Sequence, residues 1–98
     1  MTLRHVVAWK LAATDAAARA AQAAEIADRL TALVGVVPTI GSLSAGANVV
    51  DGNWDVALVA DFADAAALKA YAVHPEHQKV VAYVRNVIAD RVAVDFEL

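Results

Sequence analysis

The amino-acid sequence predicts an α+β domain in which helices cover one face of a four-stranded antiparallel sheet. Segments with a two-residue apolar period and segments with a helical period follow each other in the order β-α-β-β-α-β. The chain of 98 residues suits one small domain, and the 60% of apolar residues supply its core. The predicted fold is therefore a ferredoxin-like sandwich, with residues 1–98 forming a single domain.

The first two elements are a strand and a long helix. The strand is predicted at Leu3–Leu11, because one face takes the alternate residues Leu3, His5, Val7, Trp9 and Leu11. The helix is capped by Thr14 or Asp15 and is expected to end near Val34, just before Gly35. Its predicted buried stripe consists of Ala23, Ile26, Ala27, Leu30, Leu33 and Val34.

Two strands that form a hairpin are predicted in the middle of the chain. The second strand is expected over Thr39–Val50, and the third over Trp54–Phe62. The turn between them carries the favourable sequence Asp51-Gly52-Asn53. The apolar face of the second strand would consist of Leu43, Ala45, Ala47 and Val49, and that of the third of Val56, Leu58, Ala60 and Phe62.

The last third of the chain predicts two further helices and a final strand. Asp64 caps a short helix through about Val73, and Pro75 suits the first position of a helix that runs through Val84 and onward. The final strand is expected over Ala89–Leu98. Its apolar residues are expected to lie under the helices, with Val92, Val94, Phe96 and Leu98 on that face and Arg91, Ala93, Asp95 and Glu97 on the other.

The sheet face turned away from the helices predicts a homodimer. It is expected to carry Arg4, Val6, Ala8, Lys10, Ala57, Val59 and Ala93. Such a face is too apolar to be left in water and too charged for the core of a monomer. Two copies packed sheet to sheet would cover it, with Asp55 or Asp61 neutralising Arg4 or Lys10. The mean hydropathy of +0.51 also leaves apolar surface for a partner.

Composition excludes other partners. The net charge is −3, and the eight lysines and arginines are scattered from Arg4 to Arg91, so no basic face for nucleic acid is expected. The uncharged stretch Leu30–Val50 is long enough to cross a bilayer, but three glycines and Pro38 interrupt it. The sequence has no cysteine, which excludes disulfides and thiolate metal sites. We expect a cytoplasmic protein without a nucleic-acid or membrane partner.

Five segments carry a resemblance to a known family. They are His5-Val-Val-x-Trp-Lys, Val37-Pro38-Thr39-Ile40 leading to Gly46-x-Asn48, Trp54-Asp55-Val56-Ala57-Leu58-Val59-x-Asp61-Phe62, Leu68-x-x-Tyr71-x-x-His74-Pro75-Glu76-His77 and Arg91-x-x-x-Asp95-Phe96. Together they resemble the stress-responsive dimeric A/B barrel (Dabb) domain over almost the whole chain. The resemblance implies a ferredoxin-like protomer that dimerises through its sheet into an α/β barrel. Some plant members of the family are cofactor-free polyketide cyclases.

Three residues are candidates for catalysis: His5, Tyr71 and His77. In the cyclase members, the matching residues line a pocket. His77 falls in the first turn of a helix, where the helix dipole disfavours the charged ring, so a neutral base is expected. His5 would be a second acid or base, and Tyr71 would donate to a substrate carbonyl. The structural alternative is a hydrogen-bonded core histidine at His5 and local packing by the other two.

An apolar pocket between sheet and helices is expected to bind a small apolar or aromatic molecule. Its predicted ligand-binding residues are Trp9, Val56, Leu58 and His74, although an N-cap or interface role is open for His74. Val56 stands where the cyclase members carry a further histidine, which puts the same ring closure in doubt. No metal is expected, because the spacing of His74 and His77 is not that of a helical zinc site and Pro75 disturbs the geometry. No cofactor is expected either, since phosphate loops and dinucleotide fingerprints are absent from the sequence.

Three functions follow from the sequence. The first is a stress-associated or small-molecule-binding homodimer without chemistry of its own. The second is a cofactor-independent cyclase or lyase with His77 as base, assisted by His5 and Tyr71. The third is a cofactor-free monooxygenase, since another dimeric barrel family of similar size performs that reaction. Fold alone does not choose among them.

Overall fold

The computed structural model describes residues 2–98 and confirms the predicted ferredoxin-like fold. Its elements are β1 (Leu3–Leu11), α1 (Ala16–Thr31), β2 (Ser42–Ala47), β3 (Val56–Phe62), α2 (Ala65–Val73), α3 (Pro75–Val87) and β4 (Ile88–Glu97). The four strands form one antiparallel sheet in the order β2-β3-β1-β4. None of the helices within residues 2–98 is both long enough and apolar enough to cross a bilayer.

The core lies between the helices and the central strands β1 and β3. Alternate residues of these strands are buried, as their two-residue period predicts. They pack with the stripe of α1, and the fully or largely buried members of the core include Val7, Trp9, Leu11, Ala23, Ile26, Leu30, Val56, Leu58, Ala60 and Phe62. A polar side chain, His5, shares this face and is only 8% exposed.

Side chains cap all three helices at the predicted places. The Asp15 carboxylate accepts the backbone N–H of Ala18, and the Asp64 carboxylate accepts that of Ala67. His74 ends α2 and begins α3, where its Nδ1 accepts the N–H of Glu76 at 3.1 Å. The bend between α2 and α3 is thereby fixed, and the first turn of α3 faces the end of α2.

The end of α1 differs from the prediction. The helix ends at Thr31 rather than near Val34, and the following turns are closed by the tighter bonds from Leu33 N–H to the Leu30 carbonyl and from Val34 N–H to the Thr31 carbonyl. Because the chain leaves the helix after Thr31, the helical spacing no longer predicts which of the following residues are buried. Val34 is 51% exposed, and Val37 is buried in its place.

The second strand is shorter than predicted. It ends at Ala47, because the side chain of Asn48 folds the chain back by accepting the N–H of Val50 and donating to its carbonyl. Val49, predicted on the apolar face, is 94% exposed in the resulting loop. Gly52 takes φ +92° in this loop, which is a conformation that favours glycine.

The faces of β4 are reversed relative to the prediction. Val92 and Val94 pair with Ala8 and Val6, so they lie on the sheet face that points away from the helices. The same register brings Asp95 opposite His5, on the helix side. Directly opposed residues of an antiparallel pair project to the same side, which settles both assignments. Phe96 and Leu98 are likewise exposed rather than covered, and Ala93 moves to the helix side.

The outer face is consequently more apolar than predicted. This surface, which we call the outer sheet face, consists of Arg4, Val6, Ala8, Lys10, Ala57, Val59, Asp61, Val92, Val94 and Phe96. Arg4 forms two hydrogen bonds of 2.8 and 2.9 Å to Asp61, so its charge is paired within the protomer. Asp55 accepts the backbone N–H of Leu11 and lies 3.8 Å from Arg19, rather than pairing with Lys10 within the protomer.

Candidate functional site

A cavity of about 540 Å³ lies on the helix side of the sheet, within the range of small-molecule sites. Its apolar wall includes Val7, Trp9, Leu30, Leu58, Leu68, Val80, Val81, Val84 and Ile88. Its polar side chains are those of His5, Tyr71, His77, Gln78, Arg85, Arg91 and Asp95. An apolar wall with a few polar groups suits a small organic molecule better than an ion.

His5 is held in one tautomer by its neighbour across the sheet. Its Nδ1 bonds to the carboxylate of Asp95, which stands directly opposite on β4. Since a carboxylate accepts hydrogen bonds, Nδ1 carries the hydrogen, and in the neutral ring the lone pair is therefore on Nε2. Within residues 2–98, Nε2 has no hydrogen-bond partner. His5 therefore offers the cavity a proton acceptor whose ring orientation is fixed by Asp95.

His77 presents a second fixed imidazole from the first turn of α3. Its Nδ1 lies 3.1 Å from the carbonyl oxygen of Ala72, so Nδ1 is the donor and Nε2 keeps its lone pair. Burial lowers the pKa of His77, the hydrogen bond to the Ala72 carbonyl opposes this effect, and the proximity of His5 and Arg91 lowers the pKa further. The ring is therefore neutral near pH 7, as its position at a helix N-terminus predicts.

Tyr71 is the most buried of the three candidate residues, at 1% exposure. Its ring packs against that of His77, with 4.1 Å between centroids, and against that of Phe62, with 5.0 Å. Burial raises the pKa of Tyr71 to about 12, so the phenol stays protonated and can donate. No acceptor for its hydroxyl is found within residues 2–98. A buried hydroxyl without a partner typically costs about 1–3 kcal/mol, which an incoming acceptor would recover.

The structure brings together some of the predicted site residues and separates others. His5 and Tyr71 lie with 6.4 Å between ring centroids, on the same cavity as His77. The predicted ligand-binding residues Trp9 and Leu58 line this cavity as well. Two other predicted residues do not line it: His74 is the cap between α2 and α3, and Val56 is buried.

Val56 instead borders a second depression beside the β2–β3 loop. That depression is lined by Ala8, Ser44, Gly46, Ala47, Asn48, Val49, Asn53, Trp54, Val56, Ala57 and Val59. It contains no titratable side chain and opens toward the outer sheet face. The cavity beside Tyr71 is therefore the better candidate for chemistry.

Asp95, Arg91 and Arg85 are site residues that the sequence analysis missed. All three line the cavity, and two of them belong to β4. Alternation in β4 separated its polar from its apolar residues correctly, but did not tell which set faces the helices. The usual rule that apolar residues point inward gave the wrong answer here. The available signal was the polar residue His5 on the inner face of β1, which needs a polar partner.

The described residues offer no arrangement for a metal ion. Across positions 2–98, no three side chains of His, Cys, Asp or Glu converge as metal ligands. His74 and His77, the closest pair in sequence, are engaged with Glu76 N–H and the Ala72 carbonyl, respectively.

Comparison with known proteins shows where this fold occurs. The family model described as Stress Responsive A/B Barrel Domain matches residues 3–98. A dimeric protein of unknown function with a ferredoxin-like fold from Bacteroides fragilis is 25% identical, with a TM-score of 0.92, and the match covers 99% of this chain and 96% of that chain. A dimeric ferredoxin-like protein of unknown function from Thermobifida fusca is 31% identical, with a TM-score of 0.84, 100% of this chain covered and 92% of that chain.

A more distant likeness concerns the fold alone. Hydroxynitrile lyase from Passiflora edulis has a TM-score of 0.80 at 13% identity, covering 99% of this chain and 92% of that chain. A search of curated protein sequences finds no match. The same backbone architecture is thus used by proteins whose sequences have little in common with this one.

Proposed function

This chain belongs to the Stress Responsive A/B Barrel Domain family, and from this premise we propose that it is a homodimer whose protomers each bind a small apolar molecule. The proposed binding site is the cavity beside Tyr71. The observation that carries the proposal is the buried Tyr71 hydroxyl, which lacks an acceptor within residues 2–98 and belongs to a residue that lines the cavity. A ligand carbonyl would supply that acceptor. A role in stress and a cytoplasmic location stay predictions from the sequence.

The outer sheet face supports the homodimer. Val92 and Val94 are 48% and 58% exposed there, and Val6 of β1 lies between Val94 and Val59, which is 38% exposed, so these valines form a continuous apolar surface on a small domain. Arg4 and Asp61 on this face are paired with each other within the protomer, so covering them would bury a paired rather than a lone charge. The relatives from Bacteroides fragilis and Thermobifida fusca are described as dimeric.

A second candidate function is cofactor-independent proton transfer, as in a lyase or cyclase. Two observations favour it over binding alone: His77 is a neutral base with a free Nε2, and Tyr71 is a protonated donor packed on the same ring. His77 would take a proton from the carbon next to a substrate carbonyl. Tyr71 would donate a hydrogen bond to the carbonyl oxygen, on which the negative charge of the enolate develops.

His5 would complete such a reaction as the second acid or base. The carboxylate of Asp95 fixes the orientation of the ring, so that a proton taken up at Nε2 can be returned to the substrate. Deleting Asp95 would therefore act through His5, which makes Asp95 a positioning residue.

Binding of neutral ketones tests the proposed function directly. Trp9 lines the cavity, and a Trp54→Phe background leaves it as the sole tryptophan. Acetophenone and benzylacetone are expected to change its fluorescence saturably, with one site per protomer. The absence of saturable binding by every apolar probe would overturn the proposal. Proton transfer is tested separately, by following exchange of the ketone α-hydrogens for deuterium in D₂O with NMR.

A further inference from the structure

The cavity is positively charged in a negatively charged protein. Its lining holds two guanidinium groups, Arg85 and Arg91, against one carboxylate, Asp95, which is engaged by His5. With neutral histidines, the lining carries one net positive charge, whereas the whole chain carries −3. Both arginines are exposed at the edge of the cavity, and positive side chains that border an apolar cleft attract anions toward it.

Arg91 and Arg85 also lack the partners that the other arginines have. Arg4, Arg19 and Arg29 lie 2.8, 3.8 and 3.3 Å from the carboxylates of Asp61, Asp55 and Glu25, respectively. No carboxylate lies within ion-pair distance of Arg91 or Arg85 among residues 2–98. A guanidinium that borders an apolar cavity without an internal counter-ion is free to take one from a ligand.

Arg91 is the better placed of the two. It pairs with Trp9 in the β1–β4 register, on the helix side of the sheet. The next inward-facing pair along these strands is Val7 with Ala93. Its charge lowers the pKa of both Tyr71 and His77, so it acts on the same volume as these two groups. Arg85 approaches the cavity from α3 and adds positive charge at longer range.

Building on the small-molecule cavity of the proposed function, we propose that Arg91 binds the carboxylate of the ligand and that the ligand is a small aromatic or acyl carboxylate. The planar guanidinium offers paired donors that match the two oxygens of a carboxylate. A monoanion neutralises the one net charge of the lining. Trp9, Leu58 and Val84 then cover the apolar body of the ligand, while its carbonyl, where present, accepts from Tyr71.

Calorimetry with two matched pairs of probes tests this proposal. Benzoate and naphthoate are compared with benzamide and naphthamide, which have nearly the same shape without the charge. We expect the carboxylates to bind about tenfold or more tightly than the amides. Arg91→Gln is expected to weaken carboxylate binding about ten- to a hundredfold and to leave amide binding unchanged. Arg91→Lys keeps the charge but loses the paired geometry, so an intermediate loss is expected.

Lys69→Gln is the matched control, because it removes the same charge from an exposed position of α2 outside the cavity. Equal loss of carboxylate binding in this variant would point to net charge alone and overturn the role of Arg91. Equal binding of acids and amides would overturn the anion proposal while leaving the small-molecule cavity standing. If neither acids nor neutral apolar probes bind, both the anion proposal and the proposed function fail.

Discussion

The two faces of the sheet place polar residues in opposite ways. The face under the helices encloses a cavity, yet it carries His5, Asp95 and Arg91 beside apolar walls. The outer sheet face is open to solvent in the protomer, yet it is formed mainly by valine and alanine, with Arg4 and Asp61 paired to each other. An ordinary one-sided sheet would have the reverse arrangement. The difference is the basis for the ligand proposed on one face and the protein partner proposed on the other.

Most of this reversed distribution of polar and apolar residues comes from β4. All of its residues from Ala89 onward are exposed in the protomer, so no core position constrains which way the strand faces. Pairing with β1 decides the matter, and it sends Val92 and Val94 outward and Arg91 and Asp95 inward. One edge strand thereby supplies the acid that positions His5 and much of the surface proposed for dimerisation.

The largest expected effect concerns His77, the proposed base in the cavity. His77→Gln removes the lone pair at Nε2, and if the protein catalyses proton transfer as proposed, the protein-dependent exchange of benzylacetone α-hydrogens in D₂O should fall about a hundred- to ten-thousandfold. His74→Asn is the control, since it changes a histidine outside the cavity and keeps an N-cap acceptor for α3. Exchange that persists at the original rate in His77→Gln would contradict the proposed role of His77 as the base.

The next effect concerns the outer sheet face. Val94→Glu places a charge opposite Val6, where the proposed dimer buries it without a partner, and association should weaken about a hundredfold, or about 3 kcal/mol. Sedimentation equilibrium should then give 10.2 kDa for the variant and about twice 10.2 kDa for the unchanged protein. Val49→Glu adds the same charge in an exposed loop and should leave the mass unchanged. A wild-type protein that sediments as a monomer contradicts the proposed partner face.

A smaller effect distinguishes a ligand-binding role of Tyr71 from a purely structural role. Tyr71→Phe deletes a buried hydroxyl that has no partner within residues 2–98, so the free energy of unfolding should stay the same or rise by up to about 1 kcal/mol. Binding of acetophenone should weaken about tenfold, because its carbonyl loses the donor. Tyr83→Phe, on a ring that lies 4.0 Å under the Arg29 guanidinium, should change neither ketone binding nor exchange. A clear loss of stability in Tyr71→Phe would instead favour a structural role.

The smallest effect is the pH dependence of stability that His77 contributes. Its pKa is lower in the folded protein than the ordinary value of 6.5, so the unfolded chain binds more protons below that pH. The contribution is fully present above pH 6.5 and is lost as the pH falls toward the folded pKa. Urea unfolding between pH 7.5 and 5.5 should therefore show a steeper loss of stability in the wild type than in His77→Gln. Parallel pH profiles would contradict the lowered pKa.

Local patterns predicted much of the fold and part of the site. The capping residues Asp15 and Asp64 fixed where α1 and α2 begin, because side-chain oxygens satisfy the first N–H groups of a helix wherever it packs. The Tyr71-to-His77 segment likewise brought two candidate residues together through the bend at His74, which is a local structure. The exposed loop after Ala47 was missed, since it depends on the side-chain bonds of Asn48.

The sequence by itself determined the element order, the buried faces of β1 and β3, and the placement of His77 in the first turn of a helix. These features rest on residues close together in the chain, whose spacing fixes a period or a cap. Only the tertiary structure decided that Asp95 meets His5, that Arg91 borders the cavity and that the valines of β4 face away from the helices. Alternation defines the two sides of a strand but not their direction, and strand register, set by pairing between distant segments, chooses between them.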